Sequence, residues 1–238
     1  MKLSDLLRIF FAAFVLAFLT LSGIAAGDQF KDFGGFSLKV HHPDNHKNVA
    51  IEEKKTFKIN GLEYLAINYY EIFPGEKDFA MLNVAVLKKV KAKYVTLFDK
   101  NIDRGRPGYL ESPFLFSTKG NQFIFFGIRG GAGHHVHFFV VNVLNDAART
   151  IPLEDYFSSP LVKHLLNQGE YIYCRGPVYG FERGVMYGTV DIWKEGDACC
   201  CPSTGEFLVF SYRFENGAFK IADVKRLVDK KRLKDKTP

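Results

Sequence analysis

Phe207-Leu208-Val209-Phe210-Ser211-Tyr212-Arg213-Phe214, then Glu215-Asn216-Gly217, then Ala218-Phe219-Lys220-Ile221, reads as two strands joined by a tight turn. Asn-Gly between two aromatic and β-branched runs favours the type I′ hairpin, whose two central residues both need positive φ. The same grammar recurs upstream. Residues 36–40 and 56–59 alternate apolar with polar, and residues 62–73 are rich in Tyr and Ile and stop at Pro74-Gly75. Runs 79–87 and 90–98 have little but lysines between them, and runs 114–117 and 122–128 flank the turn-forming Lys119-Gly120-Asn121. Residues 136–143, apolar except for His137 and Asn142, predict a strand buried on both faces.

One interruption carries helical spacing. Leu153, Tyr156, Phe157, Val162, Leu165 and Leu166 predict a helical insertion over 152–167. Gly169 offers its stop, and Ser158-Ser159-Pro160 splits it, with Ser159 as cap and Pro160 in the first turn of the second piece. The fold class that follows is mainly β (α+β): an antiparallel sheet, sandwich or barrel-like, with a short helical insertion. Strand period alone does not separate sandwich, barrel and propeller-like sheets.

The amino terminus has a different character. Lys2 and Arg8 precede residues 9–26, eighteen positions without a charge, and Gly23, Ala25, Ala26 and Gly27 supply small residues for cleavage. That order predicts a secretory signal peptide over 1–27. Eighteen residues is near the short end of what spans a bilayer core of ~30 Å, and no later apolar run reaches that length, so no transmembrane segment is expected after cleavage. Residues 28–221 then read as a single β-rich domain and 222–238 as a basic tail. A chain with 24 Phe and 11 Tyr among 238 residues can bury a sizeable core.

Net charge is +6, but its location decides its meaning. Lys220, Lys225, Arg226, Lys230, Lys231, Arg232, Lys234 and Lys236 crowd the carboxy-terminal end against only Asp223, Asp229 and Asp235, while residues 28–219 balance. A nucleic-acid binder needs its basic face on the fold, so no nucleic-acid partner is expected. The tail is suited to contact with anionic surfaces.

Four cysteines, Cys174 and the run Cys199-Cys200-Cys201, carry the most distinctive chemistry. In an oxidising compartment a bridge from Cys174 to the triplet is easier than one between adjacent cysteines. Sequence neighbours lie ~3.8 Å apart at Cα, whereas a disulfide wants roughly 4.4–6.8 Å. Cys200 or Cys201 is the favoured partner, because Pro202 fixes φ just beyond the triplet. A redox-active thiol pair, a metal site and an intermolecular bridge stand beside that reading. Structural zinc sites separate their cysteines by two to four residues, which a consecutive run does not.

Asp197-Ala198-Cys199-Cys200-Cys201-Pro202-Ser203, followed by the hairpin strand and Asn216-Gly217-Ala218-Phe219, resembles an element of uncharacterised exported bacterial proteins. There an acidic residue precedes Cys-Cys-Pro-Ser and a hairpin ends in an aromatic-Asx-Gly stretch. The likeness covers roughly residues 191–221 and departs by the third cysteine. It implies export and a disulfide, and no activity.

Two further constellations are candidate metal ligands. Asp99, Asn101 and Asp103, with Gly105 and Glu111 beyond, resemble an oxygen-rich calcium loop, but the glycine arrives one residue late and Glu111 falls at position thirteen. In His134-His135-Val136-His137, His135 and His137 would share one strand face and could ligate copper or zinc, with His41, His42 and His46 as possible additional ligands. A polar turn between strands and surface or satisfied histidines at a strand entrance are the simpler readings of the two, and no cofactor is expected. The glycines of residues 127–133 lead into a strand rather than a helix N-terminus, so they lack a phosphate loop's dipole. Gly-x-Ser-x-Gly, His-Glu-x-x-His, Cys-x-x-Cys and Asn-x-Ser/Thr are all absent from the sequence. The expectation is a periplasmic or secreted, non-enzymatic module that binds an unknown protein or small ligand, of inhibitor, immunity or envelope-assembly type. An enzyme without a recognisable motif, or a metal or thiol-redox module, is the alternative.

Overall fold

A computed structural model describes residues 29–42, 48–73, 75, 79–105, 109–130, 135–144, 146–172, 176–197 and 202–229. The proposed signal peptide, all four cysteines, His46, His134 and the last nine residues lie outside the described residues, as does the side chain of His135.

Among the described residues every pairing between strands is antiparallel, and Leu153 makes an isolated parallel bridge to Phe219. A hairpin of β1 (Gln29–Asp32) and β2 (Ser37–Val40) leads into three successive four-stranded meanders. The first is β3 (Val49–Ile59), β4 (Leu62–Ile72), β5 (Ala80–Val90) and β6 (Lys93–Gly105). The second is β7 (Phe114–Thr118), β8 (Asn121–Gly130), β9 (His135–Leu144) and β10 (Ala147–Ile151). A short helix α1 (Pro160–Lys163) and strand β11 (Glu170–Tyr171) then precede the third. That sheet consists of β12 (Val178–Glu182), β13 (Val185–Asp191), β15 (Glu206–Glu215) and β16 (Ala218–Val228), with β14 (Trp193–Lys194) pairing back to β11.

Tight turns set this pattern. Asn216 and Gly217 both have positive φ, at 50° and 78°, as the Asn-Gly pair requires. The same positive-φ pair recurs at Asn60-Gly61, Lys119-Gly120 and Arg183-Gly184, so each meander contains a hairpin of this kind. The second strand of the last hairpin continues beyond Ile221 to Val228, paired with β15 throughout. Residues 222–228 therefore belong to the sheet.

The meanders stack face to face, with sheets that stay open rather than closing into a barrel. Phe57, Tyr64, Val84 and Val86 of the first sheet pack on Ile124, Phe126, Val141 and Val143 of the second. The opposite face of the second sheet packs Phe116, Phe123, Phe125 and Val140 on Met186, Leu208, Phe210 and Phe219 of the third. The middle sheet is thus covered on both sides, which is why residues 138–141 are apolar at every position. Its third-sheet side is dense in rings: Phe125 has Phe114, Phe116, Phe138, Phe181 and Phe219 at centroid distances of 5.3–5.7 Å. Such pairs add about 0.5–1.5 kcal/mol each beyond their burial. Gly188 makes room for this layer, since a Cβ there would lie 2.5 Å from the ring of its cross-strand partner Phe210.

The helical insertion is much shorter than its spacing predicts. Only Pro160–Lys163 is helical, with Pro160 in the first turn as expected, but Ser159 makes no side-chain cap and its buried hydroxyl has no partner among the described residues. Residues 152–154 are instead held on the third sheet. Phe219 N–H donates to Pro152 O at 2.9 Å, Glu154 N–H to Phe219 O at 2.8 Å, and Ile221 N–H to the Glu154 carboxylate at 3.0 Å. The apolar side chains that mimic helical spacing serve to cover that sheet: Leu153, Tyr156, Val162, Leu165 and Leu166 all join its core. Among the described residues no helix is long and apolar enough to cross a membrane.

Candidate functional site

The outer face of the first meander is only partly covered by the β1–β2 hairpin, and the uncovered part forms a cleft. Leu38 and Val40 of the hairpin pack on Leu65, Ile67, Tyr69, Ala85 and Leu87. Thr96 donates its hydroxyl to Ser37 O at 3.3 Å and Lys39 N–H donates to Asp99 Oδ2 at 3.0 Å, so the hairpin leans toward β6. On β3 the hairpin cluster takes in Val49 and Ile51, and the cleft is bordered by Lys54 and Thr56.

Two carboxylates fasten the hairpin at its far end. Glu71 is fully buried, and its oxygens accept His41 N–H at 2.9 Å, His42 N–H at 3.0 Å and Asn83 Nδ2 at 3.1 Å. Asp99 Oδ1 accepts the Tyr69 hydroxyl at 2.5 Å and lies 3.0 Å from His41 Nε2. Tyr69 is also fully buried, and its phenol is held far above the ordinary range by burial first and by the Asp99 charge second. A phenol so held stays a hydrogen-bond donor at any physiological pH.

This arrangement accounts for the residues that resemble a calcium loop. Asp99, Asn101 and Asp103 lie within β6, where each meets a different partner. Asp99 joins the hairpin cluster, Asn101 donates to Asn83 Oδ1 at 3.0 Å and Leu82 O at 3.1 Å, and Asp103 accepts Arg104 N–H at 2.7 Å. Glu111 pairs with Arg129 at 2.9 Å. His41 and His42 sit at the hairpin end, and His137 is exposed on β9. Among the described residues no three His, Cys, Asp or Glu side chains are grouped to hold one ion.

The cleft measures about 480 Å³ and is lined by Phe33, Gly34, Gly35, Phe36, Lys54, Thr56, Leu65, Ala92 and Tyr94. Its first wall is the β1–β2 turn, where the rings of Phe33 and Phe36 stack at 5.6 Å and Phe33 N–H closes on Phe36 O at 2.9 Å. Gly34 and Gly35 have φ of 73° and 140°, a path that favours glycine. Tyr94 N–H donates to Gly35 O at 3.1 Å and ties this wall to β6. Tyr94 is itself held in place: its hydroxyl donates to Glu63 at 2.6 Å, and Lys89 pairs with Glu63 at 2.9 Å and lies 5.9 Å over the Tyr94 ring. The Tyr94 hydrogen bond, then Lys89, lower the Glu63 pKa. Leu65 forms an apolar floor, and Lys54 and Thr56 form the polar margin on β3.

Sequence reading alone misses this site. Its only linear signature is the aromatic-Gly-Gly-aromatic run at 33–36, and the remaining lining residues come from β3, β4, the β5–β6 turn and β6. The chain matches no family model and no curated protein.

Proposed function

We propose that this chain is an exported, non-enzymatic binding protein whose ligand or protein partner enters the cleft between residues 33–36 and β3. The observation that carries the reading is the cleft itself: stacked rings, a buried apolar floor and a small set of polar groups, at a volume typical of ligand sites. Two carboxylates of the first sheet have structural partners. Glu63 is held by Lys89 and Tyr94, and Asp99 by Lys39, Tyr69 and His41.

The direct test is protein-observed NMR with a fragment set of indoles and phenyl carboxylic acids. Shifts confined to the amides of residues 33–36, 54–56 and 92–94, and abolished by Tyr94→Ser, are expected. Shifts scattered over other surfaces, or none, would remove the cleft as a binding site.

Export to the periplasm or medium is the proposed location, on the charged start, the apolar run and the small residues before Asp28. Intact-mass measurement of protein recovered from its host is expected to place the new amino terminus between Ala26 and Asp28, and a species retaining Met1 would refute export. The proposed disulfide joins Cys174 to Cys200 or Cys201. Two features of the flanks support it. β11 pairs with β14, and Asp197 Oδ2 accepts both Lys194 N–H at 2.7 Å and Ser203 N–H at 3.0 Å, drawing together the two ends of the loop that carries the triplet. Peptide mapping without reductant decides it, and a free Cys174 thiol would remove the bridge.

A further inference from the structure

The margin of the cleft is also an edge of a sheet. β3 is the outermost strand of the first meander, and among the described residues it pairs on one side only, with β4. Glu53, Lys54, Lys55 and Thr56 are four consecutive exposed residues on it. A register shift between Ile51 and Glu53 marks one end of this run, and the turn at Asn60-Gly61 marks the other.

Three lysines stand along that edge. Lys54 and Lys58 share the cleft face with Thr56, and Lys55 lies on the opposite face with its ammonium 5.8 Å over the Phe57 ring. None of the three has a carboxylate within ion-pairing distance among the described residues. Lys58 stands across from Glu63 in register, but that carboxylate takes its hydrogen bonds from Lys89 and Tyr94. Lysines on an edge strand are also a general device against unwanted pairing. What sets β3 apart is that its cleft-side residues line an aromatic recess.

We propose that the partner is an acidic, extended peptide segment that adds as an antiparallel strand to the free edge of β3 and places one aromatic side chain in the cleft. The inference rests on the binding reading above and names the chemistry of the occupant. A strand added at the ordinary spacing of ~4.8 Å sets its alternate side chains beside Lys54, Thr56 and Lys58. Directly opposed charges attract across a strand pair. Acids therefore belong opposite Lys54, Lys55 and Lys58, and an aromatic opposite Thr56, facing Phe33 and Phe36. Read along the peptide, that is Glu-Val-Phe-Glu-Glu, with Val opposite Phe57. Backbone hydrogen bonds supply affinity in such strand addition, and side-chain pockets supply selection.

The test uses the mature chain and a blocked peptide, acetyl-Thr-Glu-Val-Phe-Glu-Glu-Thr-amide, together with a copy N-methylated at alternate residues. The methylated copy keeps the charge but cannot pair as a strand. The unmodified peptide is expected to bind, to weaken as salt rises, and to slow hydrogen exchange at amides within residues 53–58. Lys54→Glu with Lys58→Glu, both exposed substitutions, is expected to lower affinity by about tenfold or more, and the methylated copy to lose binding. Equal binding by the methylated copy, or no exchange protection, would show a diffuse lysine patch and overturn strand addition. No binding by either peptide would overturn it too. If aromatic fragments still shift Tyr94 in that case, the cleft stands and only this occupant falls. If they fail as well, the binding reading falls with it.

Discussion

At the two ends of the stack a connecting segment is fastened onto a sheet by opposite chemistry. At the amino-terminal end two carboxylates, Glu71 and Asp99, draw in backbone amides and the neutral donors Asn83 and Tyr69. At the carboxy-terminal end one cation, Arg226, gathers two carboxylates. Its guanidinium bonds Glu170 at 2.7 and 2.9 Å and Leu165 O at 2.9 Å, and it meets Glu206 through both Nε and Nη2. All five of its N–H groups are therefore engaged. The first fastening holds the hairpin that walls the cleft, and the second holds the α1–β11 segment on the third sheet. They differ in what they should do when broken: one holds a wall of the site, the other only the fold.

The largest effect is expected from Arg226→Ala. It leaves Glu170, nearly buried, and Glu206 without their cation, and breaking a partly buried charge cluster this way typically costs about 3–5 kcal/mol. Urea unfolding should show the lowered midpoint while fragment binding at the cleft stays unchanged. A loss under 1 kcal/mol would show that solvent replaces the guanidinium and that this end is held by packing. Acid sharpens the contrast. The Arg226 hydrogen bonds hold the Glu170 pKa down at about 2, against the usual 4.5. A depressed carboxylate contributes stability that is complete above the unfolded value and disappears as pH falls through the folded one. Between about pH 4.5 and 2 the wild type should lose stability relative to Arg226→Met, so the gap between them narrows. A constant gap would mean that Glu170 is not the group linked to Arg226.

How much of this was legible in the sequence varies with how local the cause is. The hairpin at Asn216-Gly217 follows from two residues that tolerate positive φ, and the middle sheet follows from a run with no polar face. The α1 region misleads because side chains from an irregular loop, such as Tyr156 stacked at 5.7 Å on Phe210, repeat at helical spacing without a helix. The carboxy-terminal boundary fell short because Arg226 looks like one more charge in a basic tail, when it is the centre of an ion cluster inside β16. The cleft was invisible because Lys54, Leu65, Ala92 and Tyr94 converge only through strand pairing. Asp99 stood out for its spacing to Asn101 and Asp103, yet its partners are His41 and Tyr69, decades of residues away.

A smaller loss is expected from Glu71→Ala, about 2–3 kcal/mol, because the His41 and His42 amides and the Asn83 side chain each lose an acceptor in a buried place. Here the fold and the site should move together. Amides 38–42 should exchange faster, and fragment affinity at the cleft should fall as its hairpin wall loosens. Unchanged affinity in a stably folded Glu71→Ala would separate the hairpin end from the cleft, and the two ends of the molecule would then differ in chemistry but not in consequence.

The smallest effect, and the sharpest on this point, belongs to Tyr69→Phe. The ring stays in its place between the hairpin and the first sheet, and only the hydroxyl is removed. That hydroxyl donates to Asp99 at 2.5 Å and lies 2.9 Å from Lys39 O and 3.1 Å from His41 Nε2. Losing one hydrogen bond to a carboxylate costs about 1.5–3 kcal/mol at most, and Asp99 keeps Lys39 N–H and His41 as partners. A net loss near 1 kcal/mol is therefore expected, on the scale of a neutral hydrogen bond. Because no volume is removed, any change in cleft affinity would come from how firmly Asp99 holds residues 39–41. A drop of a few fold, with urea unfolding still cooperative, would tie the hairpin's anchoring to binding. No change in either stability or affinity would mean that Glu71 alone fastens the hairpin and that the Asp99 cluster is redundant with it.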